Sequence, residues 1–448
     1  MDAITAWNAS LRPDVELSRR YGEEFAASMR ARKLTFGDRV HCPFLRPFFL
    51  TEADESRMRV AAETIAALGQ RVTTAALESR ALFDQLGLTD AEAHLVRIDP
   101  GYACASTASR LDAFLLTDTL HFAEYNAESP AGLGYTQRLC ELFDAMPAMT
   151  TFRAGRGVRF NPTIEPMLDA LIASYREWGG RADPPTIAIV DWRNVPTWTE
   201  FEILQDAFIA RGVPTVVCDP RDVTFENGSL LCGARHIDIL YRRVLINDIL
   251  SRRDECAALL QAYEAKAVCV ANTFRCKLAH KKAFFAVLTD DRNAALFSDA
   301  ERAAITAHVP WTRVVADTDT VKNGRRQSLL RLAEDEREQL VLKPNDEYGG
   351  KGVVLGWETT ESVWDQALQA ALQDSPGSWI VQERIAVRRE VFPQFDVDGA
   401  VTLRDMLIDL APYLFRGRIA GYLTRLSATG LANVTSGGGQ VPPFVVGG

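Results

Sequence analysis

A glycine-rich turn between two lysines is the part of the sequence best suited to binding polyphosphate. In residues 342–356, LKPNDEYGGKGVVLG, a predicted strand ends at Lys343, and the turn that follows contains Lys351 and leads into a second strand. Glycines adopt positive φ angles and bring backbone N–H groups close to anionic oxygens, while each lysine adds a positive charge. The alternative is a glycine-rich hairpin with solvated lysines, and the spacing differs from the GxxxxGK[ST] loop. The turn glycines are Gly349, Gly350 and Gly352.

Acidic and amide side chains alternate along two short apolar runs near residue 120. The runs LDAFLLTD and LHFAEYNA are separated by Asp118 and Thr119, which predicts two antiparallel strands joined by a tight turn. Side chains two residues apart on a strand share a face, so paired strands would bring two carboxylates and an amide oxygen together. Such oxygens suit Mg²⁺, which bridges nucleotide phosphates. The alternative is the polar outer face of a half-exposed hairpin. The candidate residues are Arg110, Asp112, Glu124 and Asn126.

The patterns around these segments predict a mixed α/β protein. Apolar residues at spacings of three and four predict helices over residues 14–93. After a composition break at RADPPT, the strands TIAIVDW, TVVCD, HIDILYRR and KAVCVAN, with the helix TEFEILQDAFIARG, follow the rhythm of a parallel α/β unit. Beyond a linker-like stretch at 289–293, we predict the strands QLVLKP, GVVLGW, SWIVQE and TLRDMLIDL and a helix at 361–373.

Composition narrows the classes of partner. The 448 residues include 47% hydrophobic and 24% charged residues, as expected of a chain that buries a large core. Lys plus Arg number 50 against 59 Asp plus Glu, a formal charge of -9, which argues against nucleic acid or an anionic membrane as the principal partner. The first twenty residues resemble no signal peptide, and no window has the length of apolar sequence that a membrane span requires. We therefore expect a cytoplasmic protein whose eight scattered cysteines are buried thiols.

Together the two candidate segments resemble those of the circularly permuted ATP-grasp ligases, the group of eukaryotic glutathione synthetase and the synthetase domain of glutathionylspermidine synthase. FAEYNAESPAG resembles the Glu-x-Asn metal strand of that group, and permutation accounts for its place about two hundred residues before the lysine segment. The resemblance implies an α/β, circularly permuted ATP-grasp fold with an inserted parallel domain like a pre-ATP-grasp domain. We expect an N-terminal helical region with the metal strands at 1–160, the substrate domain at 161–275 and the nucleotide-binding region at 276–448.

The same resemblance assigns roles at a site that binds ATP and Mg²⁺. It implies that Asp112, Glu124, Asn126 and Glu347 are metal ligands, and that Arg110 faces the transferred phosphoryl group. For the nucleotide it implies contacts from Lys277, Lys343, the loop of Gly349, Gly350, Lys351 and Gly352, and the hinge residues Gln382 and Glu383 in VQERI. Arg425, followed by the glycine-rich NVTSGGGQVPP, corresponds to an arginine that binds the acceptor carboxylate.

The implied activity is that of an ADP-forming carboxylate–amine ligase acting on an amino acid, peptide or polyamine. The γ-phosphoryl group would pass to a substrate carboxylate, and an amine would attack the resulting acyl phosphate. No protein nucleophile is needed, and the sequence has neither GxSxG nor HExxH. Two alternatives stay open, a small-molecule kinase and a nucleotide-binding regulatory protein. The loop DWRNVPTW is expected either to line the substrate cleft or to form a packing cluster. Glu128 and Ser129 are expected either to contact the acceptor substrate or to lie away from it.

Overall fold

The computed structural model of the chain describes residues 2–15, 18–36, 39–395, 400–429 and 438–447. Residues 433–437 of the predicted substrate loop NVTSGGGQVPP lie outside these ranges. None of the helices within them combines the length and the apolar character needed to cross a membrane.

Helices dominate the first hundred residues, as the apolar spacing predicts. The longest, of 27 residues, begins after Thr51, whose hydroxyl accepts a hydrogen bond from the backbone N–H of Asp54 at 3.0 Å. Its buried face includes Met58 and Ile65. The three strands between residues 35 and 51 were not predicted, because their two to four residues are too few to show an alternation of apolar and polar side chains. The elements are α1 (Ala3–Val15), α2 (Ser18–Ala31), β1 (Thr35–Phe36), β2 (Arg39–Val40), β3 (Phe48–Thr51), α3 (Glu52–Glu78), α4 (Arg80–Gln85) and α5 (Asp90–Arg97).

The predicted acidic hairpin is present. Asp112 lies opposite Glu124 and Arg110 opposite Asn126, with a bulge after Asp112. The turn at 116–119 is closed by a 2.8 Å backbone hydrogen bond. All four side chains therefore belong to the same cross-strand neighbourhood. The hairpin and the elements after it are β4 (Ala108–Leu115), β5 (Leu120–Asn126), α6 (Leu133–Asp144), α7 (Pro147–Arg153), β6 (Val158–Arg159) and α8 (Ile164–Trp178).

The predicted parallel α/β unit is also confirmed. Its four strands run in the order β13-β12-β7-β8 with every pairing parallel. A small antiparallel sheet of three strands, inserted before β12, was not predicted. The elements are β7 (Ile187–Val190), α9 (Trp198–Ala210), β8 (Thr215–Cys218), β9 (Val223–Glu226), β10 (Ser229–Cys232), β11 (Arg235–His236), β12 (Ile239–Arg242), α10 (Ile246–Ser251), α11 (Ala257–Glu264) and β13 (Cys269–Ala271).

Residues 276–383, which we call the second lobe, carry the lysine segment on a four-stranded antiparallel sheet. The order of its strands is β14-β19-β17-β18. The predicted linker at 289–293 is wrong, since these residues join a helix to the 3₁₀ turn Asp291–Leu296. The helix at 361–373 is confirmed. The elements are α12 (Cys276–His280), α13 (Ala283–Thr289), α14 (Asp299–His308), β14 (Thr312–Val314), β15 (Asp319–Lys322), β16 (Arg325–Ser328), α15 (Leu329–Asp335), β17 (Leu340–Pro344), β18 (Val354–Leu355), α16 (Glu361–Gln373) and β19 (Trp379–Glu383).

The last strands of the chain return to the early hairpin. They complete a central sheet in the order β23-β22-β21-β4-β5, in which β21 also pairs with β20, and Tyr413 lies opposite Arg110. The acidic hairpin is therefore an integral part of the sheet that the C-terminal strands build. The division at residues 160 and 275 stays a proposal. The strands are β20 (Arg388–Phe395), β21 (Val401–Phe415), β22 (Arg418–Ser427), β23 (Gly439–Val441) and β24 (Pro443–Val446).

Candidate active site

Four polar side chains of the acidic hairpin hold one another in place. The Nε of Arg110 donates a hydrogen bond to Asp112 Oδ1 at 2.8 Å, and the Nδ2 of Asn126 donates to Glu124 Oε1 at 3.1 Å. A second bond from Arg110 goes to the carbonyl of Ala131 at 3.0 Å. The guanidinium is 9% exposed, so it orients a carboxylate from behind. The geometry favours a preorganised site over a solvated outer face.

The C-terminal strands add a buried carboxylate and an arginine to this hairpin. Asp409 on β21 lies opposite Arg425 on β22, whose Nε donates to Asp409 Oδ2 at 2.6 Å. Arg425 also pairs with Asp112, and the backbone N–H of Ala113 donates to Asp409 Oδ1 at 3.1 Å. Burial, reinforced by the nearby Asp112, raises the pKa of Asp409 to about 6. Asp409 was not predicted, because nothing in the run TLRDMLIDL sets it apart from Asp405 and its partner Arg425 lies on another strand.

The strand lysine faces the hairpin from the second lobe. The Nζ of Lys343 on β17 donates to Gln382 Oε1 at 2.6 Å and lies 3.4 Å from the carbonyl oxygen of Ala123. Burial lowers the pKa of Lys343 to about 8, with Glu124 opposing that change and Lys282 adding to it. A half-buried lysine that has a lowered pKa and lines the cleft is suited to an anionic ligand.

A further lysine, Lys282, was not predicted and lies beside Glu124 and Lys343. The Nζ of Lys282 lies 3.2 Å from Glu124 Oε2 and donates to the backbone carbonyl of Glu347 at 2.6 Å. Burial disfavours the charged carboxylate, but Lys282 and Lys343 hold the pKa of Glu124 below its ordinary range. The signal for Lys282 in the sequence was the run HKK. Lys282 lies beyond the end of α12, so its side chain does not share the helix face of Lys277 and Lys281.

The structure places Lys277 among buried carboxylates. Lys277 is 1% exposed, and its Nζ is committed to Asp346 at 2.8 Å and to Glu128 at 3.1 Å. It lies outside the lining of the cleft, where Lys282 is found instead. The physical reason is helical spacing, since Lys277 and Lys281 are one turn apart and point together into the interior.

The glycine-rich turn has the backbone conformation that its glycines allow. Gly349, Gly350 and Gly352 have φ values of 66°, 76° and 73°, a region that other residues seldom adopt. Lys351 is 76% exposed, and its Nζ lies 3.1 Å from Glu347 Oε1. Because the lysine is exposed at the mouth of the cleft, it is free to turn towards a ligand.

These elements enclose one cleft, which we call the central cleft. Its walls combine charged groups from both parts of the chain with apolar side chains near Val341, Leu355 and Trp357. Arg110, Asn126 and Gly352 lie beside the cleft and outside its lining, so a direct contact of Arg110 with a ligand is not supported by its position. The predicted residues in the lining are Asp112, Glu124, Lys343, Glu347, Gly349, Gly350, Lys351, Gln382, Glu383 and Arg425.

The donor set of the cleft fits Mg²⁺ that is shared with a ligand. In the described part of the chain, no group of three or more His, Cys, Asp or Glu side chains is close enough to hold a metal by itself. Asp112 and Glu124 provide two opposed carboxylates, and Asn126 provides an amide beside them. Mg²⁺ typically takes one or two carboxylates from a protein and the remaining oxygens from phosphate and water. The residues present therefore fit a magnesium ion that binds together with a phosphate ligand.

A second polar group lies at the carboxyl edge of the parallel sheet, and we call it the sheet-edge cluster: Asp191, Trp192, Glu200 and Arg243. Burial raises the pKa of Asp191 to about 6. Among the described residues, Arg243 Nε, Glu200 Oε2 and Trp192 Nε1 have no hydrogen-bond partner although they are buried. The carboxyl edge of a parallel sheet is where α/β folds commonly bind ligands.

The flanking residues of the hairpin face this cluster differently. The hydroxyl of Ser129 donates to the carbonyl of Arg243 at 2.8 Å, which ties the hairpin exit to the sheet edge. Glu128 is 1% exposed and paired with Arg242 and Lys277, so it is structural. Trp192 lies beneath the guanidinium of Arg252, whose Cζ is 4.5 Å from the ring centroid.

Comparisons with known proteins agree with this architecture. A family model described as circularly permuted ATP-grasp type 2 matches residues 116–434. A Frankia casuarinae protein named as a candidate glutamate–cysteine ligase is 22% identical over an alignment of 336 residues that covers 72% of this chain and 36% of that protein. An uncharacterized protein of Mycobacterium leprae is 22% identical over an alignment of 353 residues that covers 72% of this chain and 56% of that protein. The chain thus spans between about a third and just over half of these curated relatives.

The fold is also shared with a solved structure. A glutathione synthetase-like effector from Globodera pallida, in its apo form, superposes with a TM-score of 0.62 at 14% identity and covers 95% of this chain and 96% of its own. The predicted mixed α/β, circularly permuted ATP-grasp fold is therefore confirmed. Since the family model covers well over half of the residues, the chain belongs to the circularly permuted ATP-grasp type 2 family.

Proposed function

We propose that the protein is an ATP-dependent, ADP-forming ligase that joins a carboxylate to an amine. One observation carries the proposal: β4 and β5, with their acidic residues, share a cleft with the lysine-bearing turn that follows β17. Positive groups for phosphate, carboxylates for a metal and a glycine-rich loop are all within it. The family membership of the chain supports the same activity.

The nucleotide would lie between the second lobe and the strands β4 and β5 of the central sheet. Lys343 and Lys282 would bind its phosphates, with the glycine-rich loop closing over them and Lys351 turning inward. The apolar walls near Val341 and Trp357 would hold the base, beside the hinge residues Gln382 and Glu383. Gln382 is 1% exposed and its Nε2 donates to Thr312 Oγ1 at 3.1 Å, so its side chain holds Lys343 at a fixed place.

The metal donors would be Asp112, Glu124, Asn126 and Glu347. Bound there, Mg²⁺ would neutralise phosphate charge as the phosphoryl group leaves the nucleotide. The ammonium group of Lys282 lies against the Glu124 carboxylate and keeps this carboxylate ionised, which is the form that binds a cation.

Arg425 would act on the other substrate. It lines the cleft between Asp112 and Asp409, where its guanidinium is held in a fixed orientation. From there it would bind the carboxylate that is activated and stabilise the charge of the acyl phosphate. Arg110, which lies behind Asp112, would orient that carboxylate and not touch the substrate.

The second substrate would be an amino acid, peptide or polyamine bound near the sheet-edge cluster. The cluster contains a carboxylate and a guanidinium, each with an atom that makes no hydrogen bond to the described residues, and so offers the mixed charge that an amine and a carboxylate require. The Frankia casuarinae and Globodera pallida proteins carry names that refer to glutamate–cysteine ligase and glutathione synthetase, and this supports a ligase of the same broad class. A closer kinship with glutathionylspermidine synthase is part of the proposal.

An ADP-release screen over amino acids, short peptides and polyamines with MgATP tests the proposal. We expect ADP release that requires a carboxylate and an amine together, with an amide product found by mass spectrometry. Glu124→Gln removes a metal donor and should lower kcat by about 10²- to 10³-fold, the size of effect seen when one preorganised charge-stabilising group is lost. Glu361→Gln, on the exposed first turn of α16, is the matched control and should leave kcat unchanged.

Other outcomes contradict the proposal in distinct ways. A stable phosphorylated compound formed without an amine would identify a kinase. Nucleotide binding with no ADP release under any substrate mixture would identify a regulatory protein. Full activity of Glu124→Gln would remove the metal assignment.

A further inference from the structure

A buried cluster of ion pairs lies at the root of the glycine-rich loop. The carboxylate of Asp346 is held by two lysines, with Lys277 Nζ at 2.8 Å from Oδ1 and Lys281 Nζ at 2.8 Å from Oδ2. The side-chain amide of Asn247 donates to Oδ2 at 3.0 Å. The lysine side chains are 1% and 4% exposed and that of Asp346 is 18% exposed, so the lysine ends of these contacts are shielded from water. Two separate elements, α12 and α10, therefore fix one loop residue.

The opposite side of the cluster is built into the rest of the fold. Lys281 Nζ lies 2.9 Å from Glu92 Oε2, and Glu92 also caps α5 through the backbone N–H of Thr89. Lys277 reaches Glu128 at 3.1 Å, and Glu128 in turn pairs with Arg242 at the end of β12. With the loop aspartate included, three cations face three carboxylates, so the buried group is formally neutral.

The fixed part of the loop ends where the cleft begins. The carbonyl of Asn345 accepts a hydrogen bond from the backbone N–H of Lys282 at 3.0 Å, and its side-chain Oδ1 accepts from Ala283 N at 2.8 Å. The backbone carbonyl of Glu347 accepts from Lys282 Nζ at 2.6 Å. Beyond this point, Tyr348 is 65% exposed and the glycines follow. Asp346 is thus the last ion-paired anchor before the loop enters the cleft.

We propose that Asp346 is a positioning residue, which ties the glycine-rich loop and Glu347 to the segment that carries Lys282 and so sets the cleft for its phosphate ligand. The inference rests on the proposed function in taking that ligand to be a nucleotide. The contact between Asp346 and Lys277 links the glycine-rich loop to the segment that carries Lys282, because Lys282 follows the helix α12 in which Lys277 lies. Its loss would leave the loop held to the Lys282 segment only by the hydrogen bonds of Asn345 and Glu347, without altering any residue of the cleft lining.

Stability alone is a poor explanation for such a cluster. Buried ion pairs cost desolvation energy, and apolar residues of similar volume are often as stabilising or more so. What the ion pairs provide is direction, since two lysines with several donors each fix a carboxylate in orientation as well as in place. This is the requirement of a loop root whose next residue is a candidate metal ligand.

Two variants and a control separate positioning from stability. Asp346→Asn removes the ion pairs of the tie and leaves the buried cluster with an excess positive charge. Asp346→Asn/Lys281→Met also removes one of the two lysines that hold the loop and restores the charge balance. Asp335→Asn changes an exposed aspartate at the end of α15 in the same lobe. Each variant is compared with the wild type by hydrogen exchange of a peptide covering residues 345–353, by thermal unfolding and by titration with MgADP.

We expect amide exchange in residues 345–353 to become at least tenfold faster in the charge-balanced variant, because the backbone hydrogen bonds of this loop lose their anchor. We expect its MgADP dissociation constant to rise at least tenfold while its melting temperature recovers towards that of the wild type. Asp335→Asn should match the wild type in all three measurements. If Asp346→Asn does not fold, the charge-balanced variant alone decides.

A purely structural role predicts the reverse pattern. In that case the charge-balanced variant would show wild-type exchange and wild-type MgADP affinity once its stability had recovered, and the positioning role would be refuted. The exchange measurement needs no ligand. If the wild type binds no nucleotide, the proposed function fails, and the exchange rates still decide whether Asp346 positions the loop.

Discussion

Nucleotide binding should depend on pH through Lys343. Burial lowers the pKa of Lys343 to about 8 in the free protein, and a bound polyphosphate would raise it again by supplying negative charge. The group therefore binds the ligand in its protonated form. Binding is strongest below pH 8 and weakens as the pH rises through that value, because an increasing share of the binding energy must protonate the lysine first.

The magnitude follows from the titration of one group. With a pKa of about 8, the protonated fraction of Lys343 is about 90% at pH 7 and about 10% at pH 9. If only the protonated form binds, the dissociation constant of MgADP rises about tenfold between these two values, equal to about 1.4 kcal/mol. The second ionisation of a phosphate group is complete below this range, so the ligand contributes little to the change.

The assay is calorimetric titration with MgADP at half-unit steps from pH 7 to pH 9.5, at constant ionic strength. Lys343→Arg is the matched control, because a guanidinium keeps its charge throughout and should abolish the pH dependence even where it weakens binding. Circular dichroism at each pH verifies that the protein stays folded. A wild-type dissociation constant that is the same at pH 7 and pH 9 would refute the reasoning, as would an equal slope in Lys343→Arg.

The structure supports further predictions. Lys282→Met should weaken MgADP binding by about tenfold and move the midpoint of its pH dependence upward, because Lys282 is one of the groups that lower the pKa of Lys343; titrations of the variant measure both effects. Gly352→Ala should weaken MgADP binding several-fold in the same titration, since φ is +73° and a Cβ would lie 2.7 Å from a proline side-chain carbon. Gly356→Ala should lower the free energy of unfolding by roughly 1–3 kcal/mol in urea titrations, because a Cβ would lie 1.9 Å from a backbone carbonyl oxygen.

Much of the fold could be predicted because its signals are local. The alternation in LHFAEYNA placed Glu124 and Asn126 on one face, and the register of β4 and β5 follows from the tight turn between them. The parallel unit was visible in its buried apolar strands, which run as near-continuous hydrophobic segments. The three strands between residues 35 and 51 and the inserted antiparallel sheet were missed, since their few residues show no alternating pattern.

The positions of the lysines at the site could not be predicted in the same way. Lys277, Lys281 and Lys282 are indistinguishable in a sequence that offers three lysines in six residues. Which of them reaches the cleft depends on where α12 ends and on which carboxylates come from elsewhere to meet the other two. Those carboxylates lie in parts of the chain that are remote in sequence, so no local pattern could have assigned them.

The cleft is an assembly of distant segments, and this constrains how it forms. Asp112 and Arg425 are separated by 313 residues and meet only because β21 pairs with β4 and β22 pairs with β21. Asp409 is completely buried between them, and its carboxylate accepts a backbone N–H of the early hairpin. A buried carboxylate and arginine of this kind are costly unless they are paired. Because each partner needs the other's strand in place, the charged floor of the cleft and the central sheet must form together.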